Sequence, residues 1–84
     1  MNNRYLVTNN LKKFNLYQRN IIDIRKIRPQ FKSKNEAIKN SKLIFNNDKC
    51  IYICMYDYKG VYKKSYELKY IYDKKNDTGK WILC

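Results

Sequence analysis

The sequence predicts a single small α+β domain in which one amphipathic helix packs on an antiparallel sheet. Residues 33–45 combine a helix-capping sequence with apolar residues at helical spacing. Residues 49–84 contain three β-prone segments separated by turn sequences. The chain has 84 residues, which is enough for one hydrophobic core but not for two. We therefore expect residues 1–84 to form one domain with the element order β-(β)-α-β-β-β, ending in a three-stranded meander.

The N-terminal third contains one clear strand and one ambiguous segment. The sequence RYLVT at residues 4–8 is β-prone, and the asparagine pair after it indicates a turn. Apolar residues then recur at helical intervals from Leu11 to Ile24, but NIIDIRKI is rich in the β-branched residues that favour strands. We expect an irregular loop followed by a strand near residues 20–27. Pro29 ends this segment, because the residue before a proline avoids helical angles.

A helix is predicted from about residue 34 to residue 45. Ser33 and Glu36 form a capping box, in which the serine side chain accepts a hydrogen bond from the Glu36 amide and the glutamate reaches back. One face of the helix is apolar or small: Ala37, Ile38, Ser41, Ile44 and Phe45. The opposite face is polar: Asn35, Lys39, Lys42 and Asn46. We expect the apolar face to pack on the sheet.

Three strands are predicted after the helix, at about residues 49–58, 61–72 and 80–84. The middle strand alternates between an aromatic side and a polar side. The aromatic side, which we expect to face the core, contains Tyr62, Tyr66, Leu68, Tyr70 and Tyr72, with only Lys64 among them. The other side contains Lys63, Ser65, Glu67 and Lys69.

The first of these strands is apolar on both sides, so its orientation depends on the hairpin turn. A two-residue turn at Lys59-Gly60 pairs Tyr58 with Val61 and Ile53 with Tyr66. This register buries Ile51, Ile53 and Met55 and exposes Tyr52, Tyr56 and Tyr58. A three-residue turn with Gly60 in a bulge reverses the two sides, because a one-residue slip turns every side chain of a strand over. We prefer the first register, since tyrosine hydroxyls need water or a hydrogen-bond partner.

The charge of the chain is strongly positive and unevenly distributed. It contains 19 Lys and Arg against 7 Asp and Glu, a net charge of +12. Residues 1–42 contribute +9 of this charge and residues 43–84 contribute +3. Codon usage in an AT-rich genome explains part of the excess, because Lys, Asn, Ile and Tyr supply 45 of the 84 residues. It does not explain the scarcity of acidic residues in the first half, which favours a polyanionic partner.

The cysteine and histidine content limits the disulfides and metal sites that the chain can form. The chain has three cysteines and no histidine, and Cys50 and Cys54 would lie about 13 Å apart on a strand, too far for a disulfide. Three scattered thiols without a CxxC pair do not make a zinc site, so we expect no metal or other cofactor. There is no apolar run of about 18 residues and no secretory signal pattern. We expect a reduced, cytoplasmic protein that does not bind membranes.

We expect a non-catalytic binding protein that engages nucleic acid, or an acidic protein or ribonucleoprotein surface. Lysine and arginine neutralise phosphates, and exposed tyrosines provide stacking platforms for unpaired bases. The candidate contact residues are Arg25, Lys26, Arg28, Lys32, Lys34, Lys39, Lys42, Tyr52, Tyr56, Tyr58 and Lys63. No base-reading motif is present, so we expect contacts mainly to the backbone, to either DNA or RNA, without sequence specificity.

Two other functions fit the same composition. A protein encoded by a virus or mobile element could dock on and inhibit a host protein, such as a defence nuclease complex, in the manner of an anti-CRISPR protein. Trp81 would then anchor the partner, although a lone tryptophan in a small domain more often belongs to the core. The third function is a small basic ribonuclease toxin, whose acid–base chemistry would fall on Asp, Glu, Lys or Tyr. An unpaired edge strand also permits a homodimer.

Overall fold

The computed structural model describes residues 3–19 and 26–84. Within these residues it confirms the α+β class, with two helices and a five-stranded antiparallel sheet. The elements are β1 (Arg4–Thr8), α1 (Leu11–Tyr17), β2 (Gln30–Phe31), α2 (Lys34–Ile44), β3 (Cys50–Tyr56), β4 (Tyr62–Asp73) and β5 (Thr78–Leu83). The strand order is β2-β1-β3-β4-β5. The predicted meander of the last three strands is confirmed.

Helix α2 forms where the capping sequence predicts it. The Ser33 hydroxyl accepts a hydrogen bond of 3.1 Å from the Glu36 amide, and the helix continues to Ile44. Ala37 and Ser41 are buried against the sheet. Ile44 in the final turn stays 49% exposed, so the buried stripe is shorter than the sequence indicates.

Helix α1 stands where the sequence analysis expected an irregular loop, and that expectation is wrong. The Asn10 side chain caps the helix by accepting a 3.0 Å hydrogen bond from the Lys13 amide. Phe14 and Tyr17, one turn apart, bury their rings against the sheet. This burial outweighs the local preference of the asparagine-rich sequence. The strand expected near residues 20–27 falls largely outside the described residues, and Lys26 and Ile27 belong to no strand.

The centre of the sheet is buried on both faces. On the face covered by α2, the α2 face, the core contains Tyr5, Val7, Ala37, Ile51, Ile53 and Leu68. On the face covered by α1, the α1 face, the core contains Leu6, Phe14, Tyr17, Cys54 and Tyr56. The apolar character of both sides of β3 therefore reflects two packed faces rather than one core and one exposed patch.

The β3–β4 hairpin uses both of the registers that the sequence allowed. From Cys50 to Met55 the strands pair as expected, with Ile53 opposite Tyr66. The register then shifts by one residue, so that Tyr56 pairs with Tyr62. A three-residue turn closes the hairpin, and Gly60 occupies a left-handed conformation with φ of 87°.

This register shift corrects two expectations about the hairpin. Tyr58 lies in the turn and does not pair with Val61, because the Asp57 amide donates to the Val61 carbonyl at 3.0 Å. Tyr62 turns away from the α2 face and packs beside Tyr56 on the α1 face, with ring centroids 5.9 Å apart. A one-residue bulge is sufficient for this, since it reverses the orientation of the residues beyond it.

Strand β4 is much longer than β3 and extends beyond the rest of the sheet. Lys69 is its last residue opposite β3, and residues 70–73 pair only with β5. This two-stranded extension contributes to an elongated shape of 46 × 25 × 19 Å. Among residues 3–19 and 26–84, no helix is long and apolar enough to cross a membrane.

Candidate nucleic-acid interface

The expected tyrosine patch on β3 is not exposed, which is a correction to the sequence analysis. Tyr56 is only 1% exposed and donates a hydrogen bond to the Tyr17 carbonyl, and its burial raises its pKa. Tyr52 is partly buried and stacks on Phe14, with ring centroids 4.3 Å apart and planes 14° from parallel. Neither ring is free in solvent, because α1 covers this side of β3. Tyr52 and Tyr56 therefore hold the fold together.

Tyr58 is the predicted tyrosine that does reach solvent. It lies in the hairpin turn and is 65% exposed. The Lys59 ammonium lies 5.6 Å from the centroid of its ring, within range of a cation–π interaction. An exposed ring beside a cation is the arrangement that stacks on an unpaired base while its neighbour contacts a phosphate.

The strand register gathers basic residues from distant parts of the chain at one end of the sheet. Phe31, Tyr5, Met55 and Lys64 form one row across four strands. The start of α2, the start of β1 and the β3–β4 turn all lie at this row or beyond it. We call this region the hairpin end. It consists of Arg4, Lys32, Lys34, Tyr58, Lys59, Lys63 and Lys64, together with Tyr66, which lies two residues further into the sheet.

Two lysines flank one tyrosine at the centre of the hairpin end. The Lys34 and Lys64 ammonium groups lie 5.0 Å and 5.3 Å from the centroid of the partly buried Tyr66 ring. A hydrogen bond with the Tyr66 side chain, and then its electrostatic interaction, raises the pKa of Lys64. Lys64 is therefore protonated at neutral pH, and the ring holds two cations on one side of the molecule.

Carboxylates compensate only part of this positive charge. Asp57 forms an ion pair of 3.8 Å with Lys63. Its pKa is lowered chiefly by the hydrogen bond from the Val61 amide, so Asp57 is ionised. Within residues 3–19 and 26–84, Lys32, Lys34 and Lys64 form no ion pair. The central pair of lysines thus keeps its charge available to a ligand.

The basic cluster expected at residues 25–34 is divided by the fold. Lys26 and Arg28 precede β2 and line a cleft of about 370 Å³ on the α1 side, together with Lys13, Leu16, Tyr17 and Ile27. Lys32 and Lys34 follow β2 and belong to the hairpin end. Lys34 lies over Tyr66 on the α2 face, whereas Lys26 and Arg28 line the cleft beside α1, so the two groups face different sides of the sheet. Arg25 lies outside the described residues.

Lys39 and Lys42 occupy a third location, along the outer side of α2. They follow Lys34 by five and eight residues, so they lie roughly 8 and 12 Å further along the helix axis. Lys39 is exposed and Lys42 is partly buried. The structure therefore brings together Lys32, Lys34, Tyr58 and Lys63 from the expected set, and places the other described members elsewhere.

Four residues of the hairpin end were not predicted from the sequence: Arg4, Lys59, Lys64 and Tyr66. Lys64 could have been recognised from the sequence, because it is the single cation among the aromatic residues on one side of β4. A charged residue at a core-facing position of a strand indicates either a partner or a ligand. Arg4 and Lys59 carried no such signal, since each is an ordinary basic residue at a strand end or turn.

Comparison of the chain with protein-family models, with curated proteins and with solved structures gives no match. In the parts of the chain that the structure describes, no group of three His, Cys, Asp or Glu residues is arranged to hold a metal ion. The hairpin end is the candidate functional site on its geometry alone.

Proposed function

We propose that this protein binds nucleic acid through the hairpin end and acts in the cytoplasm, of a host cell if a virus or mobile element encodes it. The observation that carries the proposal is the pair of lysines on Tyr66, which have no carboxylate partner in the described residues. The chain around them has a net charge of +12. A site of this kind attracts phosphate groups and releases their counterions.

Each part of the hairpin end has a distinct role in this proposal. Lys34 and Lys64 contact neighbouring phosphates as fixed positive charges, because Tyr66 restricts their position. Tyr58 stacks on an unpaired base, which favours single-stranded over double-stranded nucleic acid. The raised pKa of Lys64 keeps its ammonium group protonated, whereas a general base must be deprotonated to accept a proton. We therefore assign the site to binding rather than to catalysis.

The first test reverses the two central charges. The double variant Lys34→Glu/Lys64→Glu is expected to bind a single-stranded oligonucleotide at least about tenfold more weakly, with a shallower salt dependence, because two phosphate contacts are lost. Fluorescence anisotropy with a labelled oligonucleotide, measured from about 50 to 200 mM salt, gives both quantities.

The matched control is Lys39→Glu/Lys42→Glu, which changes the net charge equally but lies on the outer side of α2. It should retain most of the affinity. Equal weakening by the two double variants would show that binding depends on net charge alone and would overturn the assignment to the hairpin end.

A second candidate, docking on an acidic protein surface, is favoured by one observation on α2. Leu43 is 70% exposed on the outer side of the helix that carries Lys39 and Lys42. Leu43→Ser is then expected to reduce, by several fold, the recovery of a protein partner from nuclease-treated lysate, while Lys34→Glu/Lys64→Glu leaves recovery unchanged. Recovery that depends on intact nucleic acid would reject this candidate.

A further inference from the structure

A second cleft lies on the α2 face, at the opposite end of the sheet from the hairpin end. Its volume is about 370 Å³, and its lining residues are Asn46, Asn47, Asp48, Lys49, Tyr70 and Trp81. The loop after α2 supplies the polar residues, and the β4–β5 pair supplies the aromatic residues. The Tyr70 amide donates to the Lys49 carbonyl at 2.9 Å, which connects the two parts of the cleft.

The aromatic wall of the cleft is held in a defined geometry. Tyr70 and Trp81 pair across β4 and β5, and their rings meet edge to face, with centroids 5.4 Å apart and an interplanar angle of 62°. Gly79 makes room for this arrangement, because a Cβ atom there would overlap the Tyr70 hydroxyl. Tyr70 is 37% exposed, so part of the wall is open to a ligand.

The polar wall presents an oriented hydrogen-bond acceptor. Asp48 Oδ2 accepts a 2.9 Å hydrogen bond from the Asn9 side chain, which restrains the carboxylate. Its other oxygen, Oδ1, has no hydrogen-bond partner among the residues that the structure describes. Lys49 beside it is exposed and forms no ion pair within those residues. Aromatic surface, a carboxylate acceptor and a cation thus line one cleft.

We propose that this cleft binds an unpaired nucleobase that carries an exocyclic amino group. The base stacks on Tyr70 and Trp81, the amino group donates to Asp48 Oδ1, and Lys49 contacts the adjoining phosphate. An exocyclic amino group offers a donor to this oxygen, which an apolar side chain such as phenylalanine lacks. The cleft volume lies within the range of small-ligand sites.

The inference rests on the proposed function, because the base belongs to the strand that the hairpin end holds. On the α2 face, β4 carries Lys64 and Tyr66 at one end and Tyr70 at the other. Tyr70 follows Lys64 by six positions, a distance of about 20 Å along a strand. A single strand of several nucleotides is long enough to contact both regions, within the usual site size of single-strand binding proteins.

Trp81 makes the site directly observable, since it is the only tryptophan in the chain. Cytidine and uridine monophosphate form a matched pair, because only cytosine carries the exocyclic amino group. Both nucleotides are titrated while Trp81 fluorescence is followed. Cytidine monophosphate is expected to bind at least about tenfold more tightly than uridine monophosphate, because one good base contact discriminates by about that factor. Asp48→Ala should remove the preference for cytidine, and Tyr70→Leu should weaken the binding of both nucleotides.

The failure of this inference can be separated from the failure of the proposed function. Lys34→Glu/Lys64→Glu should retain the response to cytidine monophosphate while losing oligonucleotide affinity. If the protein binds the oligonucleotide but cytidine monophosphate does not quench Trp81, the proposed base site in the cleft is wrong and the hairpin end is unaffected. A nucleotide response without oligonucleotide binding would overturn the role of the hairpin end alone. Equal affinity for the two nucleotides, or stronger quenching by N-acetyltyrosinamide, would reject the proposed ligand.

Discussion

Replacing Tyr56 by alanine is expected to lower the free energy of unfolding by about 3–5 kcal/mol, the usual cost of removing a buried aromatic side chain. The ring fills the core between β3 and α1, and its hydroxyl donates a hydrogen bond to the Tyr17 carbonyl. The substitution leaves both a cavity and an unsatisfied buried carbonyl group. Urea unfolding followed by circular dichroism measures the change.

Tyr58→Ala is the matched control, because it removes the same side chain two residues away. Tyr58 is exposed in the hairpin turn, so its loss should change stability by no more than about 0.5 kcal/mol. It should instead weaken binding to a single-stranded oligonucleotide, through loss of a stacking platform. A stable Tyr56→Ala protein with impaired binding would mean that α1 does not cover this face of the sheet.

Alkylation of Cys54 in the folded protein is expected to be slower than alkylation of Cys84 by orders of magnitude, because a buried thiol is inert while the core stays closed. Cys54 is buried between the sheet and α1, and this burial raises its pKa from 9.0 to about 12. The thiolate is the reacting species, and its fraction falls about tenfold for each unit of pKa. Cys84 is exposed at the end of the chain.

The two rates are measured with iodoacetamide at mildly alkaline pH, by mass spectrometry of the resulting peptides. Unfolding in guanidinium supplies the control, since both thiols should then react at similar rates. Comparable rates in the folded protein would show that the core on the α1 face opens readily, and would contradict the packing of Phe14 and Tyr17 over Cys54.

The proposed function requires basic residues that are distant in sequence to work together. Lys34 and Lys64 come from two separate elements and meet at Tyr66 only because α2 covers the face of the sheet on which β4 presents that ring. Contiguous basic residues, such as those from Lys26 to Lys34, are instead divided between two surfaces. The proposal of a polyanionic partner comes from the net charge of the chain, whereas the proposed position of the contact depends on the fold.

The α+β class, α2 and the three C-terminal strands follow from local features of the sequence. Ser33 and Glu36 specify the start of α2 through a hydrogen bond that spans three residues. Alternation along β4 and turn residues between the strands specify the meander. These signals act over a few residues, so they can be recognised without knowledge of the rest of the chain.

The assignment of exposed and buried tyrosines depended on contacts between distant segments. Whether β3 exposes Tyr56 was settled by α1, a short helix of weak local signal that becomes stable by packing on the sheet. The bulge after Met55 then moved Tyr62 to the same face. Local pattern thus determined α2 and the three C-terminal strands. Tertiary packing decided that α1 forms and which side chains meet, because burial is a property of the assembled layers.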